Sequence, residues 1–85
     1  MNSMFFVYVL FSPSFDKIYV GYSYDVESRV RSHNELATKG WTIRFRPWIL
    51  VHVESFKSKK DAMAREKQLK SSRGRHWIKR NILPQ

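Results

Sequence analysis

Phe5-Phe6-Val7-Tyr8-Val9-Leu10-Phe11, followed by Ser12-Pro13-Ser14-Phe15-Asp16 and then Lys17-Ile18-Tyr19-Val20-Gly21-Tyr22, is the most informative stretch of the chain. The first segment is aromatic and β-branched with no polar face, the pattern of a strand buried on both sides. The second has the Ser, Pro and Asp chemistry of a turn. The third is a shorter strand, so the three together predict an antiparallel hairpin.

Outward from the hairpin, Ser23 and Asp25 both have N-cap chemistry, and the spacing predicts a helix from Val26 to Ala37. Thr38-Lys39-Gly40 ends it, and a loop runs to Arg46-Pro47, where proline disfavours helix in the residue before it. A third strand is expected from Trp48 to Val53. Simple alternation there puts Ile49, Val51 and Val53 on one face, with Trp48, Leu50 and His52 on the other. Ser58, with Asp61 three residues on, resembles a capping box and opens a helix from Lys59 to Ser71. Gly74 is expected to break it, leaving a short last helix over His76–Leu83. The order β-β-α-β-α-α describes an α+β domain, a small sheet covered by helices.

Eighty-five residues make one domain, spanning 1–85, with a core of marginal size. With 42% apolar residues the chain is expected to fold, and the absence of cysteine excludes disulfides and thiolate metal sites. The apolar run from Met4 to Phe11 is too short for a membrane span and lacks the basic flank of a signal peptide. The expectation is a cytoplasmic protein with no membrane partner. Charge is distributed unevenly. Residues 1–56 carry six Lys/Arg against five Asp/Glu, whereas residues 57–85 carry ten against two. Lys67, Lys70, Arg73 and Arg75 belong to this basic third and are candidate phosphate contacts. Concentrated positive charge binds polyphosphate through counterion release; the plainer alternative is a solvated helix face.

Periodicity shows polar groups where a core is expected. At 100° per residue, Val26, Val30, Leu36 and Ala37 form the apolar stripe of the first helix, and Arg29 and His33 fall within it. On the second long helix Glu66 lies between Ala62 and Leu69. A charged group facing a core needs a partner or a role. Arg29 paired with Glu66 and a satisfied semi-buried His33 would meet that need. So would a functional site, towards which three such residues on two helices point together. Tyr8 shares a strand face with Phe6 and Leu10, and Tyr19 shares one with Lys17 and Gly21, a glycine that either makes a bend or admits a close neighbour.

Val7-Tyr8, Tyr19-Val20-Gly21, Arg29 and His33, in that spacing, resemble the GIY-YIG nuclease family, and Ala64 to Lys70 is similar to the helix that carries the family's acidic residue. The resemblance runs from Phe6 to Leu83. It implies a three-stranded antiparallel sheet flanked by helices, and includes the nuclease half of the bacterial excision-repair endonuclease, hence a link to DNA repair, besides small single-domain proteins. The implied activity is metal-dependent hydrolysis of phosphodiester bonds, in DNA in preference to RNA. Catalytic roles would fall to Tyr8, Tyr19, Arg29, His33 and Glu66, lining one concave surface. Glu66 would be the ligand to Mg²⁺ (or Mn²⁺), Arg29 would meet the phosphate, and Tyr8 would take a proton from the attacking water with Tyr19 or His33 orienting it. The sequence leaves open which of those three is the base. Asn81 matches an asparagine that some members use, or is an ordinary surface residue. Phe6 departs from the family by standing where the first motif has glycine.

The alternative from a different class is a non-catalytic nucleic-acid-binding or accessory module of a larger complex, with Trp41, Phe45 and Trp77 stacking on bases or packing at the rim. No segment is left over for target recognition, so sequence specificity is expected to come from a protein partner or to be absent. In either case the basic third predicts that the logarithm of nucleic-acid affinity falls linearly with the logarithm of salt, by about 0.9 per duplex phosphate neutralised. A salt titration checks this, and binding indifferent to salt would contradict it.

Overall fold

The middle strand of the sheet is the one whose sequence is apolar on both sides. In the computed structural model, which describes residues 4–83, β1 (Phe5–Ser12) lies between β2 (Lys17–Ser23) and β3 (Ile49–Phe56), antiparallel to both. Val7, Tyr8, Val9 and Leu10 are consequently fully buried. Alternation along β1 sends Val7 and Val9 to one layer and Tyr8 and Leu10 to the other. Val7 and Val9 pack with Val20, Ala62, Leu69 and Ile78 beneath α2 (Lys59–Lys70) and α3 (Ser72–Asn81). Tyr8 and Leu10 pack with Trp48, Tyr19, Val26, Val30 and Phe45 beneath α1 (Val26–Arg31) and the segment after it. The expected element order holds, and a 3-10 helix (Trp41–Phe45) occupies the stretch expected to be a loop.

Asp25 is the N-cap of α1. Its carboxylate accepts the Ser28 N–H at 3.0 Å, and Ser23 Oγ in turn accepts the Asp25 N–H at 2.9 Å. The helix does not run evenly to Ala37, because Ser32–Leu36 forms a π-helical turn closed by Ala37 N–H to Ser32 O at 2.9 Å. The wider turn breaks the 3.6-residue period on which the inward stripe was drawn. Val26 and Val30 keep their packing and His33 is buried, but Leu36 is 58% exposed. Arg29 is exposed as a residue, although its guanidinium turns inward to the sheet tyrosines.

Strand β3 is longer than expected and its faces differ from simple alternation. Val9 lies opposite His52 and Leu10 opposite Leu50, so Val51 is an extra, bulged residue. Beyond the bulge the alternation inverts. Val53, opposite Tyr8, shares a groove with Leu50, Phe6 and Val30, while Val51 packs in the other layer.

Ser58 caps α2, accepting the Asp61 N–H at 3.1 Å as the capping pattern predicts. Gly74 does not end a helix. The break falls at Ser71, whose hydroxyl donates to Gln68 O at 2.6 Å and accepts the Gly74 N–H at 3.1 Å, capping α3 from Ser72 onward instead of from His76. Gly74 sits in the first turn of α3, pressed on the end of α2, where a Cβ would meet Gln68 O and fall 2.5 Å from Leu69 Cα. Both obstacles are backbone, so Gly74→Ala is expected to lower stability by about 1–3 kcal/mol, the range for overpacking a tight site. Urea unfolding measures this, and an unchanged midpoint would contradict the close approach.

Candidate active site

Tyr8 and Gly21 lie opposite each other on β1 and β2, and the tyrosine ring crosses directly over the glycine. A Cβ on Gly21 would stand 2.5 Å from the Tyr8 hydroxyl and 2.7 Å from its Cζ, so the phenol occupies the space a side chain there would need. Gly21 therefore serves close approach, one of the two readings open from sequence. Across the layer, His33 comes in from the π-helical turn, with Nε2 3.1 Å from Tyr8 Oη and Nδ1 2.9 Å from Thr42 Oγ1. Tyr8, His33 and Thr42 are all buried. Tyr19 packs on the histidine with ring centroids 4.6 Å apart and lies 6.2 Å from Tyr8, but is itself half-buried, open on one side.

Arg29, one turn before His33, directs its guanidinium at the hydroxyls of Tyr8 and Tyr19 while its side chain remains exposed. Burial pushes the Tyr8 phenol up to about 12, against the opposing pull of Arg29, so Tyr8 is protonated throughout the neutral range. Burial, and after it the positive charges of Arg29 and Arg46, hold His33 below the usual histidine range, so it is neutral at pH 7. A neutral imidazole has one donor and one acceptor nitrogen, so Tyr8 and Thr42 meet opposite roles on the ring. We assign the tautomer protonated on Nδ1, in which His33 Nε2 accepts from Tyr8 and Nδ1 donates to Thr42, because it leaves the lone pairs of Tyr8 to Arg29, which has only donors. Contact with the phenol oxygens raises the Arg29 guanidinium further.

The walls of the site come from residues with no polar motif of their own. Arg46 donates to the carbonyls of His33 (2.6 Å), Ala37 (2.8 Å) and Ser32 (3.3 Å), satisfying the open end of the π turn. Asn34 and Trp48 exchange two hydrogen bonds, Asn34 Nδ2 to Trp48 O at 2.9 Å and Trp48 N–H to Asn34 Oδ1 at 2.6 Å. The Trp48 indole N–H donates to Thr42 O at 2.7 Å. Sequence reasoning missed Thr42 and Arg46 because they act from a segment read as loop, and Asn34 because its partner, the Trp48 backbone, lies fourteen residues away. Trp48 was read only as a strand residue. Trp41 and Phe45 form a rim cluster, 4.7 Å apart, with Trp48 5.8 Å from Trp41. Phe6 lines the groove with Val26, Val30, Leu50 and Val53, away from the Tyr8 hydroxyl.

Glu66 stands apart from this cluster. It is half-buried on α2, the layer on the other side of the sheet, with its carboxylate 3.4 Å from Lys70 Nζ. Among the described residues no hydrogen bond or ion pair joins it to Tyr8, Tyr19, Arg29 or His33, and the Arg29–Glu66 pair considered from sequence is not formed. Nor do the described residues contain a group of three His, Asp or Glu side chains that could hold a metal. A magnesium ion bound largely by water and phosphate oxygens needs as little as one carboxylate, and Glu66 has the donor chemistry for that. Lys67, Lys70, Arg73 and Arg75 are all exposed. Asn81 donates to Trp77 O at 2.9 Å on α3.

A small antiparallel sheet bearing two tyrosines, met by an arginine and a histidine from one helix, is the architecture of a nuclease-type catalytic domain. The pattern of the GIY-YIG catalytic domain matches residues 4–81, and the chain belongs to the GIY-YIG family. It is similar to a UPF0213 protein of Haloquadratum walsbyi, 39% identical over 71 residues, covering 84% of this chain and 79% of that one. A UPF0213 protein of Bacillus velezensis is 38% identical over 69 residues, 81% and 68% of the two chains. The solution NMR structure of a UPF0213 protein from Bacillus halodurans superposes with a TM-score of 0.53 at 30% identity, covering 88% of this chain and 81% of that one. No helix among the described residues is long and apolar enough to cross a membrane.

The lowered His33 pKa has a consequence for stability. The unfolded chain takes up a proton on His33 near pH 6.5, but the folded chain does so only at lower pH. The group therefore stabilises fully above about 6.5, and that contribution is lost as pH falls towards the folded pKa. Melting temperatures measured from pH 8 to 5 should show this decline, and His33→Gln should flatten it. A slope unchanged in the variant would contradict a depressed, buried His33.

Proposed function

We propose that the domain hydrolyses phosphodiester bonds in nucleic acid, DNA in preference to RNA, with a divalent cation, Mg²⁺ or Mn²⁺, held by Glu66. The observation that carries this reading is the Tyr8–His33–Thr42 chain with Arg29 and Tyr19 at its open end. When bound, the cation would supply Lewis-acid polarisation of the phosphate. Arg29, exposed and planar, offers paired donors to the phosphate oxygens that gain charge in the transition state. Tyr8 is buried behind it and protonated, so it acts as a positioning residue, accepting from Arg29 and donating to His33. Tyr19 is the phenol open to solvent; having released its own proton to solvent, it takes the proton of the attacking water as the phenolate. A partner protein would supply target specificity.

A second reading, a nucleic-acid-binding module without catalysis, is favoured by one observation: Glu66 lies in a different layer from the tyrosines, paired with Lys70. One set of variants separates the two. If the nuclease reading holds, Glu66→Gln lowers cleavage by orders of magnitude while binding stays level or tightens. Arg29→Ala then loses about 3–4 kcal/mol of transition-state stabilisation, the scale of one oxyanion donor. Tyr19→Phe should lose more activity than Tyr8→Phe. The measurement is cleavage of branched, nicked and single-stranded DNA and RNA, with Mg²⁺ or with chelator. Wild-type activity in Glu66→Gln would remove the metal assignment, and a more impaired Tyr8→Phe would return the proton acceptor to Tyr8.

A further inference from the structure

The outer face of α3 carries a groove of about 600 Å³ lined by Ser72, Arg73, His76, Trp77, Arg80 and Asn81. Trp77 is 38% exposed, yet it is not a loose surface ring. The Arg65 guanidinium lies 5.2 Å from its centroid, and the His52 ring meets it edge-on at 5.8 Å. Both supports are fixed in turn by a single carboxylate. Arg65 donates to Glu54 Oε1 and Oε2 at 2.9 and 3.0 Å, and His52 Nε2 lies 2.7 Å from Glu54 Oε2. A further bond within α2, from Arg65 to Gln68 Oε1 at 2.8 Å, holds the guanidinium in place. Burial works against ionising Glu54, but the bonds from Arg65 and His52 outweigh it and hold the carboxyl below its usual range. The indole is thus immobilised before any ligand arrives, with its remaining surface in the groove.

Arg73 and Arg80 flank it, one turn to either side on the same helix. Both are exposed, and neither makes an ion pair among the described residues. Seven residues of helix separate them by roughly 10 Å, so the pair can meet two phosphates on either side of one or two stacked nucleotides. A fixed aromatic surface between two free cations is the chemistry that recognises an unpaired base and its backbone. In a duplex the π-faces are taken up by neighbouring pairs. We propose that the Trp77 groove is a subsite for unpaired nucleotides, the base stacking on Trp77 and the flanking phosphates on Arg73 and Arg80. This deepens the proposed function by assigning the chain a substrate with a single-stranded segment, and it rests on that reading only in requiring that the protein bind nucleic acid.

The test is binding in the presence of chelator, so that cleavage plays no part. The probes are oligo-dT and oligo-U of about twelve nucleotides, within the range of single-strand site sizes, and a blunt duplex of the same length. Trp77→Leu keeps an apolar side chain over Arg65 but cannot stack. It should lower affinity for the single strands about ten- to hundred-fold and leave duplex affinity unchanged. Trp77→Phe should restore part of the loss. The dT and U arms tell whether the unpaired strand is DNA or RNA. Independently of any folding defect in the leucine variant, the wild-type Trp77 indole N–H signal should shift on titration with the preferred single strand, while that of buried Trp48 stays in place. Single-strand binding indifferent to Trp77→Leu, or an unmoved Trp77 signal, would overturn the subsite and leave the nuclease reading standing. Failure of every probe to bind at low salt would overturn both.

Discussion

The buried hydrogen bond between Tyr8 and His33 is the constraint on which the rest of this structure depends. A phenol on the middle strand cannot reach solvent, so its proton must find an acceptor within the layer; an unmade bond there would cost about 1–3 kcal/mol. Nε2 of His33 is that acceptor, and the histidine can serve only while neutral. Its other nitrogen then needs the Thr42 hydroxyl, which brings the 3-10 helix against the π turn. Trp48 and Asn34 lock the two together, and Arg46 closes the helix end. On the opposite side the phenol needs a neighbour without a side chain, and Gly21 is that neighbour.

The same constraint shapes the chemistry at the surface. Because Tyr8 is spent on His33, its remaining lone pairs face Arg29, which is thereby aimed at the mouth of the site while staying exposed. Two phenols on one sheet face thus have different environments. Tyr8 is enclosed and held protonated near 12, whereas Tyr19 is half-open beside the same arginine. On the proposed reading, that asymmetry separates a positioning residue from one able to meet a substrate. In the basic α2–α3 layer the ion pairs of Glu54 immobilise Trp77, beside which Arg73 and Arg80 are exposed.

Much of the fold was legible because it is set locally. The apolar run of β1, the turn at Ser12–Asp16, the Ser58 cap and the buried Ala62 and Leu69 all follow from nearest neighbours in sequence. What was not legible arises between elements. Nothing around Val51 announces a bulge, since the extra residue is defined by pairing with β1, and the faces assigned to His52 and Val53 inverted with it. Gly74 reads as a breaker by propensity, but its missing Cβ serves contact with the end of α2. The π turn likewise owes its form to Arg46, thirteen residues beyond His33. In the site, Tyr8, Tyr19, Arg29 and His33 do come together in one layer, as their placement on strand and helix faces suggested. Thr42 and Trp48, which complete it, lie in a stretch with no pattern to mark them. Glu66 was visible as an acid in an apolar stripe, but its placement relative to the tyrosines depends on the packing of two layers.

The most direct test of the central claim is the protonation state of His33 itself. Long-range nitrogen–proton NMR of the imidazole side chains resolves both ring nitrogens as pH is lowered from 8. The account predicts a neutral ring at pH 7 with its proton on Nδ1 and a bare Nε2, remaining so below pH 6.5, and a switch in that pattern in Tyr8→Phe. A proton on Nε2, or titration at or above 6.5, would contradict the hydrogen-bond chain from Arg29 to Thr42.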